Sequence, residues 1–341
     1  AFSHVSQGAA NSILQATANP FIGLFIGLLV TALIQSSSTV TSMTIALVAA
    51  GSVNFSDAIY VIMGANIGTT LTSTIVSLGY IAKRGEFKRA IAAGTVHDFF
   101  NILTVLILFP LEYYYGFISE IAVYLTSLLG IGQGINGSTG NGFSLISFTS
   151  LAERIVNFVD SPYISLFLSF ALLFSSIKFF SRVISRLLMG ESQERLKLFI
   201  FENTPKSFLF GTLFTAAIQS SSVTTSVVVP FAATGKIQLR RIMPFILGSN
   251  IGTTITAFIA AIVRSDLVMN IAMTHLIINL IGVVIFMPIP MMRTVLVQLA
   301  NGFGELTSRH RIVGFLYVVF TFFLVPFLPE SVYDQTMAMS L

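Results

Sequence analysis

The chain has no cysteine, so it has neither a disulfide framework nor thiol chemistry, and its compartment cannot be read from redox state. Charge is scarce as well. Asp, Glu, Lys and Arg make up 9% of the 341 residues, against about 25% in a soluble globular chain. No Lys or Arg precedes Lys83, and the first residue is Ala1 rather than Met. No intact signal peptide is legible, and the expectation is that an N-terminal piece is missing. The net charge of +4 comes from loop Lys and Arg. Those residues orient a membrane chain, and they exclude a nucleic-acid footprint.

What the chain has in excess is apolar sequence, 54% of it. Ala90–Pro110 (broken only by His97-Asp98), Tyr163–Phe180, Val268–Pro288 and Ile312–Leu328 approach the roughly 20 residues needed to cross a bilayer. The expected surroundings are a lipid bilayer, and the expected location is the cell (plasma or inner) membrane, with several crossings. The sequence carries no signal for oligomeric state.

Into this apolar chain a polar string is written twice. Gln35-Ser36-Ser37-Ser38 recurs as Gln219-Ser220-Ser221-Ser222; at one constant spacing follow Asn66-Ile67-Gly68-Thr69-Thr70 and Asn250-Ile251-Gly252-Thr253-Thr254. Gly27 and Gly211, Thr31 and Thr215, Thr41-Ser42 and Thr225-Ser226, and Gly64 and Gly248 keep the same register. His97 and Asn101 return as His275 and Asn279 after a short slip. Packing through small residues accounts for any one Ser, Thr or Gly in a membrane helix. It does not require a glutamine followed by three serines, twice. A polar break planted twice in apolar sequence marks a transporter with a duplicated binding site.

The arms around the first motif, Pro20–Ile34 and Thr39–Ala50, would each make a helix of roughly 18–22 Å, short of the ~30 Å hydrocarbon core. They read as a re-entrant hairpin with its polar tip near the midplane; a continuous kinked helix through Gln35 is the competing reading. Asp57–Tyr80 reads as a helix broken at Asn66-Ile67-Gly68 and restarting at Thr69. Loop charge then orients the repeats. After the first hairpin the loop Gly51–Asp57 has no Lys or Arg, while Lys83, Arg84, Lys88 and Arg89 follow the broken helix. In the second repeat Lys236, Arg240 and Arg241 follow the hairpin instead. The expected fold is an all-α integral membrane protein of two inverted-topology repeats, each with a re-entrant helical hairpin and a broken transmembrane helix. Residues 1–110 form the first repeat, with the hairpin about 20–50, the broken helix about 57–80 and a span about 90–110. An external linker covers 111–160, including the glycine-rich stretch Gly130–Gly142. The second repeat, 161–290, has a span about 163–180, a hairpin about 208–234, a broken helix about 242–263 and a span about 268–288. Residues 291–341 hold a connector and a final span.

The chemistry follows from the residue types. Two glutamine-serine tips supply amide, hydroxyl and carbonyl oxygens, hard ligands suited to Na+ rather than to a transition metal. Helices restarting at Thr39, Val223, Thr69 and Thr253 would aim N–H groups at the same cavity, a receptor for an oxyanion. Candidate oxyanion ligands are therefore Gln35, Ser36, Ser37, Ser38, Thr69 and Thr70 with Gln219, Ser220, Ser221, Ser222, Thr253 and Thr254. Candidate Na+ ligands are Gln35, Asn66, Thr69, Asp98 and Asn101 with Gln219, Asn250 and Thr254. Asp98 breaks the symmetry, because Leu276 stands beside His275 where a carboxylate would be expected. A carboxylate inside an apolar run is a functional position by default; its alternative is a buried partner for His97 or a loop-proximal group, with Lys88 and Arg89 about ten residues away. His97 and His275 read as hydrogen-bonded structural residues. No resident cofactor is expected, and Na+ enters as a coupling ion. A channel remains an alternative, as does an intramembrane hydrolase using Ser36 or Ser220 with His97 or His275. The hydrolase lacks a Gly-x-Ser-x-Gly elbow.

These strings, together with Phe87–Asn101, Gly248–Thr254 and Pro288-Ile289-Pro290, carry a resemblance. Over nearly its whole length the chain is similar to the type II sodium-dependent phosphate cotransporter family and resembles a bacterial member. The resemblance implies Na+-driven uptake of inorganic phosphate at the paired Gln-Ser-Ser-Ser segments, and a sodium site at Asp98 linked to electrogenic transport. Sulfate, arsenate or a dicarboxylate remain alternative oxyanions. Tyr80 and Lys83 stand where animal members place a Gln and an Asp thought to help hold a further sodium. The cysteines of the animal external loop are absent, and the chain stops soon after Leu328, where the family tends to have one more span.

Overall fold

The computed structural model describes residues 19–128, 199–261 and 266–327. The described residues, Phe199 apart, belong to one compact unit formed by Ala1–Gln133 and Ile200–Leu341. Gly134–Phe199 form a second. The expected span about 163–180 lies outside the described residues. Among the described residues the regular structure is all helical: α1 Pro20–Ile34, α2 Ser37–Ala49, α3 Phe55–Gly68, α4 Leu71–Leu78, α5 Arg84–Tyr115 and α6 Phe117–Leu128. There follow α7 Thr204–Ile218, α8 Ser221–Ala233, α9 Leu239–Ala261, α10 Asp266–Phe286, α11 Pro290–Arg309 and α12 Ile312–Val319. The last runs on through a π turn, Phe320–Leu324, and a 3-10 turn, Val325–Phe327.

The two motif segments start and stop by the same local chemistry. Asn19 Oδ1 accepts from Phe21 N at 3.0 Å ahead of Pro20 at the first helical position; Asn203 Oδ1 accepts from Lys206 N at 3.0 Å beside Pro205. An amide cap followed by proline satisfies one orphan donor and removes another. α1 and α7 end at Gln35 and Gln219, both left-handed, with φ of 58° and 59°. Ser36 and Ser220 then cap the next helices, accepting from Thr39 N and Val223 N at 3.3 Å each. A continuous helix through Gln35 is therefore excluded.

The second motif element departs from expectation. α3 and α4 are interrupted at Thr69 and Thr70, but both residues stay right-handed and the restart comes at Leu71 rather than Thr69. α9 passes through Asn250–Thr254 without a break, so no helix starts at Thr253. The reason lies in what the glycines do. A Cβ on Gly27, Gly64 or Gly68 would overlap backbone atoms of Val61, Leu24 or Leu28; on Gly211, Gly248 or Gly252 it would overlap Phe245, Phe208 or Thr212. The same helix pair, α1 on α3 and α7 on α9, is thus built twice, residue for residue, on glycines that permit backbone approach. They serve contact rather than flexibility.

α5 also exceeds expectation, running past Pro110 to Tyr115 before Gly116 ends it at φ 59°. Proline removes one N–H and strains one turn, which a long packed membrane helix tolerates. The Glu112 carboxylate then caps α6, accepting from Ile118 N at 2.6 Å and Ser119 N at 3.2 Å. α5 is the central helix and buries Phe87, Ile91, Val96, Phe100 and Leu108.

The polarity of the bundle is inside out. Leu33, Leu106, Leu213, Val284 and Leu316 are more than half exposed, while Asn66, Thr70, Thr74, His97, Asp98, Asn101, Asn250 and His275 are at most 4% exposed. That distribution suits a lipid solvent and opposes an aqueous one. Among the described residues Phe55–Leu78, Arg84–Tyr115 and Met269–Phe286 are long and apolar enough to cross a membrane.

Candidate functional site

The two motif tips meet. Ser222 Oγ lies within donating distance of two carbonyls, that of Thr69 at 3.2 Å and that of Gln35 at 3.4 Å. Thr69 Oγ1 is 3.3 Å from Ser222 Oγ and 3.5 Å from Ser221 Oγ. The left-handed turn at Gln35 directs its carbonyl out of the helix, which is why a serine of the other motif can reach it. The Gln35 and Gln219 side chains are exposed, and among the described residues neither amide makes a hydrogen bond. Helices α2 and α8 begin at the same tips, and the N–H groups of their first residues have no intrahelical acceptor. The structure thus brings Gln35, Thr69, Ser221 and Ser222 together. Ser36 and Ser220 are engaged as caps. Thr70 and Thr254 donate to carbonyls of their own helices, of Ile67 and Ile251, at 2.8 Å each. No hydrogen bond links Ser37 or Ser38 to the second tip among the described residues.

Beside the tips the repeats are cross-linked. His97 Nε2 is 2.7 Å from Asn250 Oδ1, and His275 Nε2 is 2.9 Å from Asn66 Oδ1. Each histidine thus bonds to the asparagine of the other motif set. Asn250 Nδ2 donates to Asn101 Oδ1 at 2.8 Å, and Asn101 Nδ2 donates to the Asn66 carbonyl at 2.6 Å. The mirrored half stays open: Asn279 Nδ2 turns to the His275 carbonyl at 3.1 Å, and Asn66 Nδ2 is buried without a hydrogen-bond partner among the described residues. Asn66, Asn101 and Asn250, read as Na+ ligands, are therefore joined in one hydrogen-bonded chain. Among the described residues neither histidine bonds to Ser36 or Ser220; each Nε2 meets an asparagine instead.

Asp98 forms the third cluster. It is fully buried on α5; its Oδ2 accepts from Thr74 Oγ1 at 2.8 Å and from Tyr317 OH at 3.0 Å. Among the described residues its Oδ1 accepts no hydrogen bond. His97 faces Asn250, so the alternative in which Asp98 pairs with His97 is overturned.

The comparisons with known proteins now bear on these clusters. The Na+/Pi-cotransporter family matches residues 1–133 and 172–308. The chain belongs to the Na+/Pi-cotransporter family. Among its relatives is sodium-dependent phosphate transport protein 2A of Oryctolagus cuniculus, 32% identical over 93% of this chain and 60% of the relative. Another is protein 2B of Homo sapiens, 31% identical over 90% of this chain and 58% of the relative. The chain thus spans about three fifths of the length of these relatives. No solved structure matches. Every sequence-derived candidate lies inside the family match, whereas Tyr317 lies beyond it. Thr74 and Tyr317 escaped the sequence reading. Thr74 stands one turn after Thr70 on the same helical face, a signal that could have been used. Tyr317 reaches Asp98 from a distant part of the chain and left no local trace.

Proposed function

We propose that this Na+/Pi-cotransporter family chain couples inward movement of Na+ to uptake of inorganic phosphate by alternating access, across the plasma or inner membrane. The reading takes residues 1–110 and 161–290 as inverted repeats, with α1–α2 and α7–α8 as re-entrant hairpins and residues 111–160 as external linker. The observation that carries it is the junction of the two tips, where Ser222 reaches the Gln35 carbonyl and, among the described residues, neither glutamine amide makes a hydrogen bond. Gln35, Ser36, Ser37, Ser38, Thr69 and Thr70 with Gln219, Ser220, Ser221, Ser222, Thr253 and Thr254 would receive phosphate, whose charge would be balanced by co-bound cations and helix ends. Asp98 would receive Na+, with the Gln35, Asn66, Thr69, Asn101, Gln219, Asn250 and Thr254 oxygens as further candidates. Relatives named for sodium-dependent phosphate transport support both substrates. Inversion is supported at one end of the bundle: Arg89 Nε donates to the Ala233 carbonyl at 2.9 Å. The basic segment after α4 thus lies beside the basic segment after α8, as corresponding loops on opposite sides require.

Radiolabelled phosphate uptake into proteoliposomes, with Na+, K+ or choline outside, tests the proposal. The expected result is saturable uptake with Na+ alone, blocked by excess unlabelled phosphate and far less by sulfate. Equal uptake in all three cations would overturn Na+ coupling, and stronger block by sulfate would overturn the choice of phosphate.

A further inference from the structure

We propose that Tyr317 is a positioning residue of the Na+ site: it holds one oxygen of Asp98 so that the other is presented to the ion. This rests on the reading above that Asp98 takes Na+.

Asp98 has no cationic partner among the described residues. His97 bonds to Asn250; on the same helix Lys88 pairs with Glu305 at 2.5 Å and Arg89 with the Ala233 carbonyl. A buried carboxylate oxygen without a partner is costly, and a cation answers that cost. Oδ1 is that oxygen, because Thr74 and Tyr317 both donate to Oδ2. The two hydrogen bonds stabilise the carboxylate as an anion and fix its rotation. They also leave hydroxyl oxygens beside it, hard donors of the kind Na+ takes.

Tyr317 is built to deliver its hydroxyl. Its ring packs 4.7 Å from that of Phe303 and edge-on to Phe322 at 6.3 Å. Little side-chain freedom remains to be lost when the hydrogen bond forms. Helix α12 lies outside both proposed repeats and outside the family match. In the second half Leu276 occupies the place of Asp98, so this grip has no counterpart there. The Na+ site is thereby set by three elements, α4, α5 and α12, and the segment after the repeats takes part in ion recognition.

Tyr317→Phe removes the hydroxyl and keeps the ring contacts. The expected result is an apparent Na+ half-saturation for uptake raised about tenfold, as for loss of one hydrogen bond to a charged acceptor. The phosphate half-saturation at saturating Na+ should stay unchanged. A second readout needs no transport: titrating NaCl against choline chloride at constant ionic strength should raise the Tm of the purified protein, with its midpoint moved by the same factor in the variant. Asp98→Asn should shift that midpoint too, and adding Tyr317→Phe to it should shift it no further. If Asp98→Asn moves the Na+ midpoint and Tyr317→Phe does not, the role of Tyr317 is overturned while the Asp98 reading stands. A Tm lowered equally in NaCl and choline, with the midpoint unmoved, also overturns it, since Tyr317 would then be only a packing residue. If Asp98→Asn leaves the midpoint in place, the Asp98 reading falls, and this proposal with it.

Discussion

A glutamine is a poor residue on which to end a helix in the left-handed region. Glycine takes that conformation without steric penalty and asparagine takes it more readily than most, whereas an ordinary side chain pays roughly 1–2 kcal/mol. Gln35 and Gln219 both pay it, at φ 58° and 59°. Strain retained at equivalent positions, with neither amide hydrogen-bonded among the described residues, points to a use for the side chain beyond turning the chain. Gln35→Gly and Gln219→Gly separate the two roles. Each variant should hold or raise Tm, because the turn becomes easier. Each should cut Na+-dependent phosphate uptake by about tenfold or more, as expected for lost hydrogen bonds to a charged ligand. Gln35→Ala and Gln219→Ala should show the same transport loss without relief of the backbone. Monodisperse glycine variants with normal uptake would remove both amides from the site. The asparagines present a contrast. Asn66 and Asn250 have their side-chain oxygens taken by His275 and His97, so a cation could use them only by sharing those oxygens.

At the scale of the helix, the breaks at Gln35 and Gln219 were legible because a polar string with serine caps interrupts an apolar run. The break expected at Asn66–Gly68 is present, with its restart two residues later than Thr69, whereas the one expected at Thr253 is absent, since Gly252 looked like a flexible point. Glycine in sequence does not declare whether it serves a turn or a contact; that depends on what stands opposite, here Leu28 and Thr212 of a neighbouring helix. The same limit hid the crossed pairs His97–Asn250 and His275–Asn66. The sequence marked all four residues as repeated, but partnership across repeats is set by packing. A prediction follows for the duplicated helix pair. Gly64→Val and Gly248→Val place a side chain against the Leu24 and Phe208 carbonyls, and overpacking of this kind costs about 1–3 kcal/mol or more. Each should lower Tm and the yield of monodisperse protein. Gly302→Ala, where an added Cβ meets nothing within 4 Å, should leave Tm level or raise it. Equal tolerance at Gly64 and Gly302 in a thermal-shift comparison would refute the backbone contact.

Across the whole molecule, composition announced a membrane chain and the bundle bears its physical mark, apolar side chains outward and polar ones inward. How the halves are turned relative to the membrane is the claim with most at stake, because alternating access through one duplicated site depends on it. Two facts bear on it together. The loop after α2 has no Lys or Arg, while that after α8 carries Lys236, Arg240 and Arg241. The segment after α4, which is also basic, touches the end of α8 through Arg89 and the Ala233 carbonyl. If basic segments face the cytoplasm, Lys83 and Lys236 share that side and Ser52 lies opposite. The chain has no cysteine to confuse the measurement. Ser52→Cys, Lys83→Cys and Lys236→Cys can therefore be treated one at a time with a membrane-impermeant maleimide on intact cells. Ser52→Cys should label at once, and the other two only after permeabilisation. Labelling of Ser52→Cys and Lys236→Cys from one side would mean that corresponding loops of the two halves face the same way. The inverted arrangement, and with it the symmetric exchange between inward- and outward-open states, would then have to be abandoned, even if phosphate uptake remained sodium-dependent.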